Sequence, residues 1–447
     1  MAPAIISLIV LTIMAFFFVT DKLPLALTSM LGAVALVLAG VLPKENLFSA
    51  FSGSTIVLLA AMMVIGSALF HTGIAEKMSN IIVKVTGTSE NGILVATVLV
   101  ATILSSICSG VAVVAMLLPI VIGISMKAGV SVSRQMIPLA FAASFGCNLT
   151  LVGAASNVVV NGQLESLGSA PLTFLELGKV GLPICIFGIL YFLTIGKKFL
   201  TQGDKSDKDY LMEFTGKSSE SDSHGFSRLK ASLCLVILAV VLIAMSVNSS
   251  SFPMHLVATA GALIMILTGC IKEHEAYKAI DWSTIFIVGG MSAVSKAMDV
   301  SGAGLMISNG AIRLLGEHPS KTAVLFVIFI LTCLLTNIMM NTSTALLVTP
   351  LFIPIAFALD INPASIAVAI CVAASCPFLT PVGSGTNTLV VRPGKLGFMD
   401  FFKPGPVSYT HLSCPASGPG RAGCLDFICF FYDGKINAQL CQVQDMA

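Results

Sequence analysis

The sequence predicts an all-α polytopic membrane protein, made of two inverted repeats that each hold a re-entrant helical hairpin and an unwound transmembrane helix. Three observations carry that expectation. Of 447 residues, 56% are hydrophobic and 10% charged, whereas soluble domains run near a quarter charged. The apolar stretches are many and of the length that bilayer helices need. Stretches of the first half also return about 230 residues later in the second, as in membrane folds built from internal repeats.

Taken in order, the first apolar stretches are 3–19, 23–42, 53–72, 91–107, 110–126, 133–148 running on to about 166, and 178–196. The first lacks the charged start of a signal peptide and another stretch follows at once, so it reads as a retained helix. A polar segment, 197–230, comes next. The second series is 231–247, 254–271, 282–298, 322–338, 341–358, and 363–378 running on to 391. The stretches 91–107 and 110–126 meet at Ser109-Gly110, and 322–338 and 341–358 meet at Met339-Met340. Short apolar helices joined without a polar loop predict re-entrant hairpins. Both longer stretches contain G-x-x-[S/T]-N, at Gly153 to Asn157 and Gly383 to Asn387. Glycine admits irregular backbone, and Asn can satisfy groups that a break leaves open. Asn157 and Asn387 are therefore expected at two structural breaks.

The repeat can be read directly. Ser54-Thr55-Ile56 returns as Ser283-Thr284-Ile285, and Ser79-Asn80 as Ser308-Asn309. LSSICSGVAVVAMLLP (104–119) lies over LTNIMMNTSTALLVTP (335–350), and LTLVGAASNVVV (149–160) over LTPVGSGTNTLV (379–390). The expected organisation is a first repeat over 1–196, a cytoplasmic linker over 197–230, and a second repeat over 231–407. The linker holds seven Lys or Arg. Placing it inside puts most other basic residues inside as well, as the positive-inside rule requires. That trace leaves the N-terminus outside and inverts one repeat relative to the other. The segment 396–407 matches 172–183, yet an apolar helix follows the first copy and a Cys-, Pro- and Gly-rich stretch follows the second. The tail, 408–447, is expected to be foreign or out of frame, with the final helix missing.

Composition narrows the function. There is no basic tract for nucleic acid, and no HExxH, GxSxG or P-loop. Eight Cys lie scattered in apolar sequence without a CxxC pair, and read as packing residues. No cofactor is expected. A membrane-embedded enzyme would need a charged or metal-binding cluster, and a channel would need no inverted repeat of broken helices. The chain instead places Asn341, Thr342, Ser343, Thr344, Thr380, Ser384, Thr386 and Asn387 in sequence free of Asp, Glu, Lys and Arg from Lys321 to Asp360 and from Asp360 to Arg392. Where a helix is interrupted inside the bilayer, free N–H groups favour an anion. Released carbonyls there favour a hard cation such as Na⁺. The expectation is a secondary active transporter of a small anion, Na⁺-coupled. A cation/proton antiporter or metalloid exporter is the alternative.

These motifs resemble a known family. MNTSTALLVTP and TPVGSGTNTLVV are similar to the second hairpin and second unwound loop of the divalent anion/sodium symporter family, carriers of dicarboxylates, citrate or sulfate. The likeness spans about 1 to 405. It implies a homodimer in the cell (inner) membrane whose hairpin-bearing domain moves as an elevator. By position it implies one Na⁺ site near Ser105, Ser109, Gly110 and Gly153, and a second near Thr336, Asn341 and Gly383. Substrate contacts would come from Asn341, Thr342, Ser384, Ser109 and Val111. The first motif, Ser109-Gly110-Val111, departs from the family pattern by lacking its Asn and Thr. Many members also have an extra first helix, which the outward N-terminus suggests is absent or cut here.

Overall fold

The computed structural model describes residues 2–20, 22–72, 89–194, 196, 200, 228–247, 252–307, 320–381 and 383–405. Most of the linker, the Ser79-Asn80 and Ser308-Asn309 pair, and the tail lie outside them. Every regular element among the described residues is helical. The helices are α1 (Ala2–Thr20), α2 (Leu25–Leu38), α3 (Ser54–His71), α4 (Glu90–Ser105), α5 (Gly110–Ala128), α6 (Ser133–Gly146), α7 (Ala155–Ser166) and α8 (Gly178–Thr194). They continue as α9 (Arg228–Val247), α10 (Met254–Leu267), α11 (Glu273–Ala279), α12 (Trp282–Val300), α13 (Lys321–Thr336), α14 (Asn341–Ala358), α15 (Pro363–Ala374), α16 (Gly385–Gly394) and α17 (Phe398–Phe402).

Among the described residues, five helices have the length and apolar composition to cross a membrane. On α1, Ile5, Ile9, Ile13 and Phe16 are exposed, and on α9 Val236, Val240 and Ile243. Apolar surface of that extent suits lipid rather than water. The chain is a membrane protein.

The two hairpins are α4–α5 and α13–α14. Their first arms each hold 16 residues, about 24 Å at 1.5 Å per residue, short of a bilayer core of about 30 Å. Both first arms begin on a serine cap. Ser89 Oγ accepts from Gly92 N at 3.1 Å, and Ser320 Oγ from Ala323 N at 3.2 Å. Both second arms carry an interior proline, Pro119 and Pro350, which removes a helical hydrogen bond and favours a bend.

The two long stretches do break. α6 stops at Gly146 and α7 starts at Ala155, with a short 3-10 turn, Leu151–Gly153, between them. α15 stops at Ala374 and α16 starts at Gly385. Packing then ties the halves together. Within each half the hairpin's first arm lies on the first arm of the broken helix, α4 on α6 and α13 on α15. The second arms cross over: α14 packs on α7, and α5 on α16. Phe141 and Phe145 of α6 hold Phe378 of the second break at centroid distances of 4.6 and 5.3 Å. A separate group of helices, with α2 against α12 and α3 against α10, forms the other side of the molecule.

Candidate functional site

A cavity of about 550 Å³ lies between α3, the two hairpin tips and the two breaks. Of the expected substrate residues, Ser109, Val111, Asn341, Thr342 and Ser384 all line it, as does Gly110. The first turns of α5, α7, α14 and α16 all reach its wall, through Gly110, Ala155, Asn341 and Gly385. The residues preceding three of these helices, Ser109, Ala154 and Met340, make no side-chain cap. Orphan amides and helix dipoles are thus concentrated on one space. Only α16 is capped, Ser384 Oγ accepting from Thr386 N at 3.3 Å.

Among the described lining residues there is no Lys, Arg or His, and Asp281 is the single carboxylate. Asp281 caps α12, accepting from Ser283 N at 3.1 Å and Thr284 Oγ1 at 2.5 Å. Positive potential in the cavity therefore comes from backbone ends. Two further serines, Ser156 and Ser375, line it while buried and without a hydrogen-bond partner. Buried hydroxyls left unpaired cost free energy, so both are suited to a polar ligand.

Of the expected cation residues, Ser109, Gly110 and Asn341 line the cavity, while Ser105, Gly153, Thr336 and Gly383 lie where each tip meets its break. A Cβ on Gly153 would stand 2.7 Å from Cys147 O and 2.9 Å from Ser105 O. Only a glycine lets the break approach those carbonyls. Ser105 Oγ is buried without a partner. Asn157 Nδ2 donates to Cys147 O at 2.8 Å, which leaves Asn157 Oδ1 unpartnered. The second junction repeats the plan. A Cβ on Gly383 would stand 2.5 Å from Thr336 O. Asn387 Nδ2 donates to Pro377 O at 2.6 Å and Thr380 O at 2.9 Å, and Asn387 Oδ1 is unpartnered. Thr150 Oγ1 donates to Ser106 O in the first junction, and Thr380 Oγ1 to Asn337 O in the second. Each asparagine returns a hydrogen bond across its break to a carbonyl ten residues earlier.

Asn341 joins the second junction to the cavity. Thr336 Oγ1 lies 3.2 Å from Asn341 Oδ1 and donates to Ala374 O at 2.8 Å. With the amide turned over, its nitrogen donates to Gly383 O (3.1 Å), Thr336 Oγ1 (3.2 Å) and Ala374 O (3.2 Å). With oxygen inward, amide, hydroxyl and carbonyl oxygens crowd one point, a donor set that fits a hard cation. With nitrogen inward the amide satisfies the same oxygens itself. The residues present therefore fit Na⁺.

Sequence reasoning named Ser156 only as part of the G-x-x-[S/T]-N motif, and did not single out Ser375 or the α3 residues that close the cavity, Leu59, Met62, Met63 and Phe70. Ser375 sits in a run of small residues, and α3 faces the site with one serine, Ser67, among apolar residues.

Comparison with known proteins bears on family and fold. A family model described as citrate transporter matches residues 15–316. The uncharacterized transporter YfbS of Escherichia coli is 22% identical over 90% of this chain and 95% of its own. The sodium-dependent dicarboxylate transporter SdcS of Staphylococcus saprophyticus is 23% identical over 86% of this chain and 79% of its own. In fold, the crystal structure of the YdaH transporter of Alcanivorax borkumensis superposes with a TM-score of 0.60. It is 15% identical, with 98% of each chain covered.

Proposed function

Because the chain belongs to the citrate transporter family, we propose that it is a secondary active transporter of a small anion, coupled to Na⁺ and working by alternating access. The family's members are transporters, not enzymes. The observation that carries the proposal is the shared cavity: four helix N-termini open on it, and two oxygen-rich junctions sit directly behind. Anion and cation would then bind within one body and neutralise each other, which lets both cross a low-dielectric barrier together. A relative named as sodium-dependent supports Na⁺ as the coupling ion.

In this reading Asn341, Thr342, Ser384 and Ser109 present amides and hydroxyls to the anion, and Val111 bounds it. One Na⁺ sits at Ser105, Ser109, Gly110 and Gly153, the other at Thr336, Asn341 and Gly383. Asn157 and Asn387 hold the breaks. The repeats are inverted, and hairpins and breaks move as an elevator against the α2, α3, α10 and α12 side. The crossed packing of α5 on α16 and α14 on α7 supports this, because it makes the tips and breaks one body. In the same reading the protein works as a homodimer in the cell (inner) membrane.

The test is uptake of sulfate, succinate, citrate and tartrate into proteoliposomes, with and without an inward Na⁺ gradient. Saturable, gradient-driven uptake of at least one anion is expected. Absence of uptake for every small anion tried would remove the proposal.

A further inference from the structure

The cavity is sealed at one end and open at the other. At the start of α3, Ser54 Oγ donates to Glu165 Oε2 of α7 at 3.1 Å, and Gly162 packs so closely on Thr55 that any side chain there would meet its hydroxyl. From Leu59 to Phe70, α3 instead faces the cavity. There the lining reaches the surface through Val111, Met340 and Asp281, all exposed. Counting helices from a cytoplasmic linker, α9 runs outward, α10 inward, and α12 starts inside. The open end, at the start of α12, is then the cytoplasmic one.

Asp281 stands at that opening. It caps α12 through Ser283 N and Thr284 Oγ1, and its own N–H lies 3.4 Å from Met63 Sδ of α3. It is thus anchored to the side that the elevator reading holds still. Among the described lining residues it is the single carboxylate, and no Lys, Arg or His offsets it there. Because Ser54-Thr55-Ile56 returns as Ser283-Thr284-Ile285, the counterpart of Asp281 at the other end is the neutral Ser52. Glu165 does not balance it. Glu165 rides on α7, ten residues beyond Ala155 of the cavity wall, about 15 Å along the helix, and keeps that distance wherever the body moves.

We infer, on the carrier reading above, that Asp281 sets the sidedness of the site: its fixed charge makes anion binding weaker from the cytoplasmic face than from the outer face. With the cavity open inward, the helix ends that hold the anion face a carboxylate that repels it. With the cavity open outward, they face Ser52 and the repulsion is gone. The anion is therefore released inward and rebinds poorly there, while the ion gradient still sets the final ratio across the membrane.

Asp281→Asn removes the charge and keeps a good cap, and Asp281→Ser does the same if the first does not fold. Asp281→Glu keeps the charge on a poorer cap. Full-length protein is assayed in inside-out and right-side-out membrane vesicles, at saturating Na⁺ on the uptake side. The probes are those of sulfate, succinate, citrate and tartrate that the unaltered chain carries. A unit charge about 10 Å away across a partly hydrated mouth is worth roughly threefold in affinity. Asp281→Asn is therefore expected to lower the half-saturating anion concentration about threefold from the cytoplasmic face and leave the outer value unchanged, with Asp281→Glu keeping the native pair of values. A merely structural cap would rank the variants the other way, Asn near native and Glu impaired. That ranking, no shift, an equal shift at both faces, or a shift confined to the outer face would overturn the inference while leaving the carrier reading standing. Absence of uptake of all four anions by the unaltered chain, monodisperse when extracted in detergent, would overturn both.

Discussion

At the scale of single residues, Asn341 is the point where the proposed cation and anion sites touch. Its backbone starts α14 at the cavity wall, and its amide sits among Thr336 Oγ1, Gly383 O and Ala374 O. Asn341→Ala is expected to abolish uptake in proteoliposomes while the protein still expresses and purifies as a single species; unchanged transport would discard the assignment. Gly383 is tested differently. Its Cβ position lies 2.5 Å from the Thr336 carbonyl, a backbone atom that cannot rotate away. Gly383→Ala must therefore displace the junction, at about 1–3 kcal/mol. The half-saturating Na⁺ concentration for transport is expected to rise about tenfold; an unaltered Na⁺ dependence would count against a cation there. Asn341 and Gly383 were both legible, because a polar or flexible residue stands out in uncharged apolar sequence. Ser375 was not: its significance is that its hydroxyl has no partner, and partners are a property of the folded chain.

Helices and breaks come next. Each break is held by one asparagine reaching back across it. Asn387→Ala would leave Pro377 O and Thr380 O without their donor, and Asn157→Ala would do the same to Cys147 O. Each is expected to cost about 1–3 kcal/mol, read as a fall of several degrees in thermal unfolding in detergent. The loss should be larger for Asn387, which makes two such bonds. The hairpin caps provide a contrast. Ser89→Ala and Ser320→Ala remove one cap bond each, at about 1 kcal/mol, far from the cavity. They are expected to lower stability modestly and leave half-saturating Na⁺ and substrate concentrations unchanged. Hairpins and breaks were visible in the sequence because length and G-x-x-[S/T]-N spacing are local signals. The crossing of second arms, α5 onto α16 and α14 onto α7, was not, since the relevant faces are apolar all round and no periodicity names their partners.

For the molecule as a whole, the elevator proposal requires the hairpin tips to slide past α3. Gly66 of α3 is the close point: a Cβ there would lie 3.7 Å from Cys108 Cβ and 3.5 Å from its sulfur, within disulfide geometry. Gly66→Cys should therefore cross-link to the native Cys108 on oxidation, stop transport, and recover with reductant. Full transport by the cross-linked protein would show that α3 and the first tip do not separate. The eight described Cys are buried and form no disulfide, so the unaltered chain is the control. By itself the sequence determined the class of molecule: membrane-embedded, all-helical, internally repeated, with interrupted helices bearing uncharged polar groups. Hydropathy, glycine and helix ends act within a few residues of chain, so they can be read there. Only the tertiary structure decided that four helix ends meet on one cavity and that Ser156 and Ser375 line it without partners. Both depend on residues far apart in sequence becoming neighbours, and packing sets that.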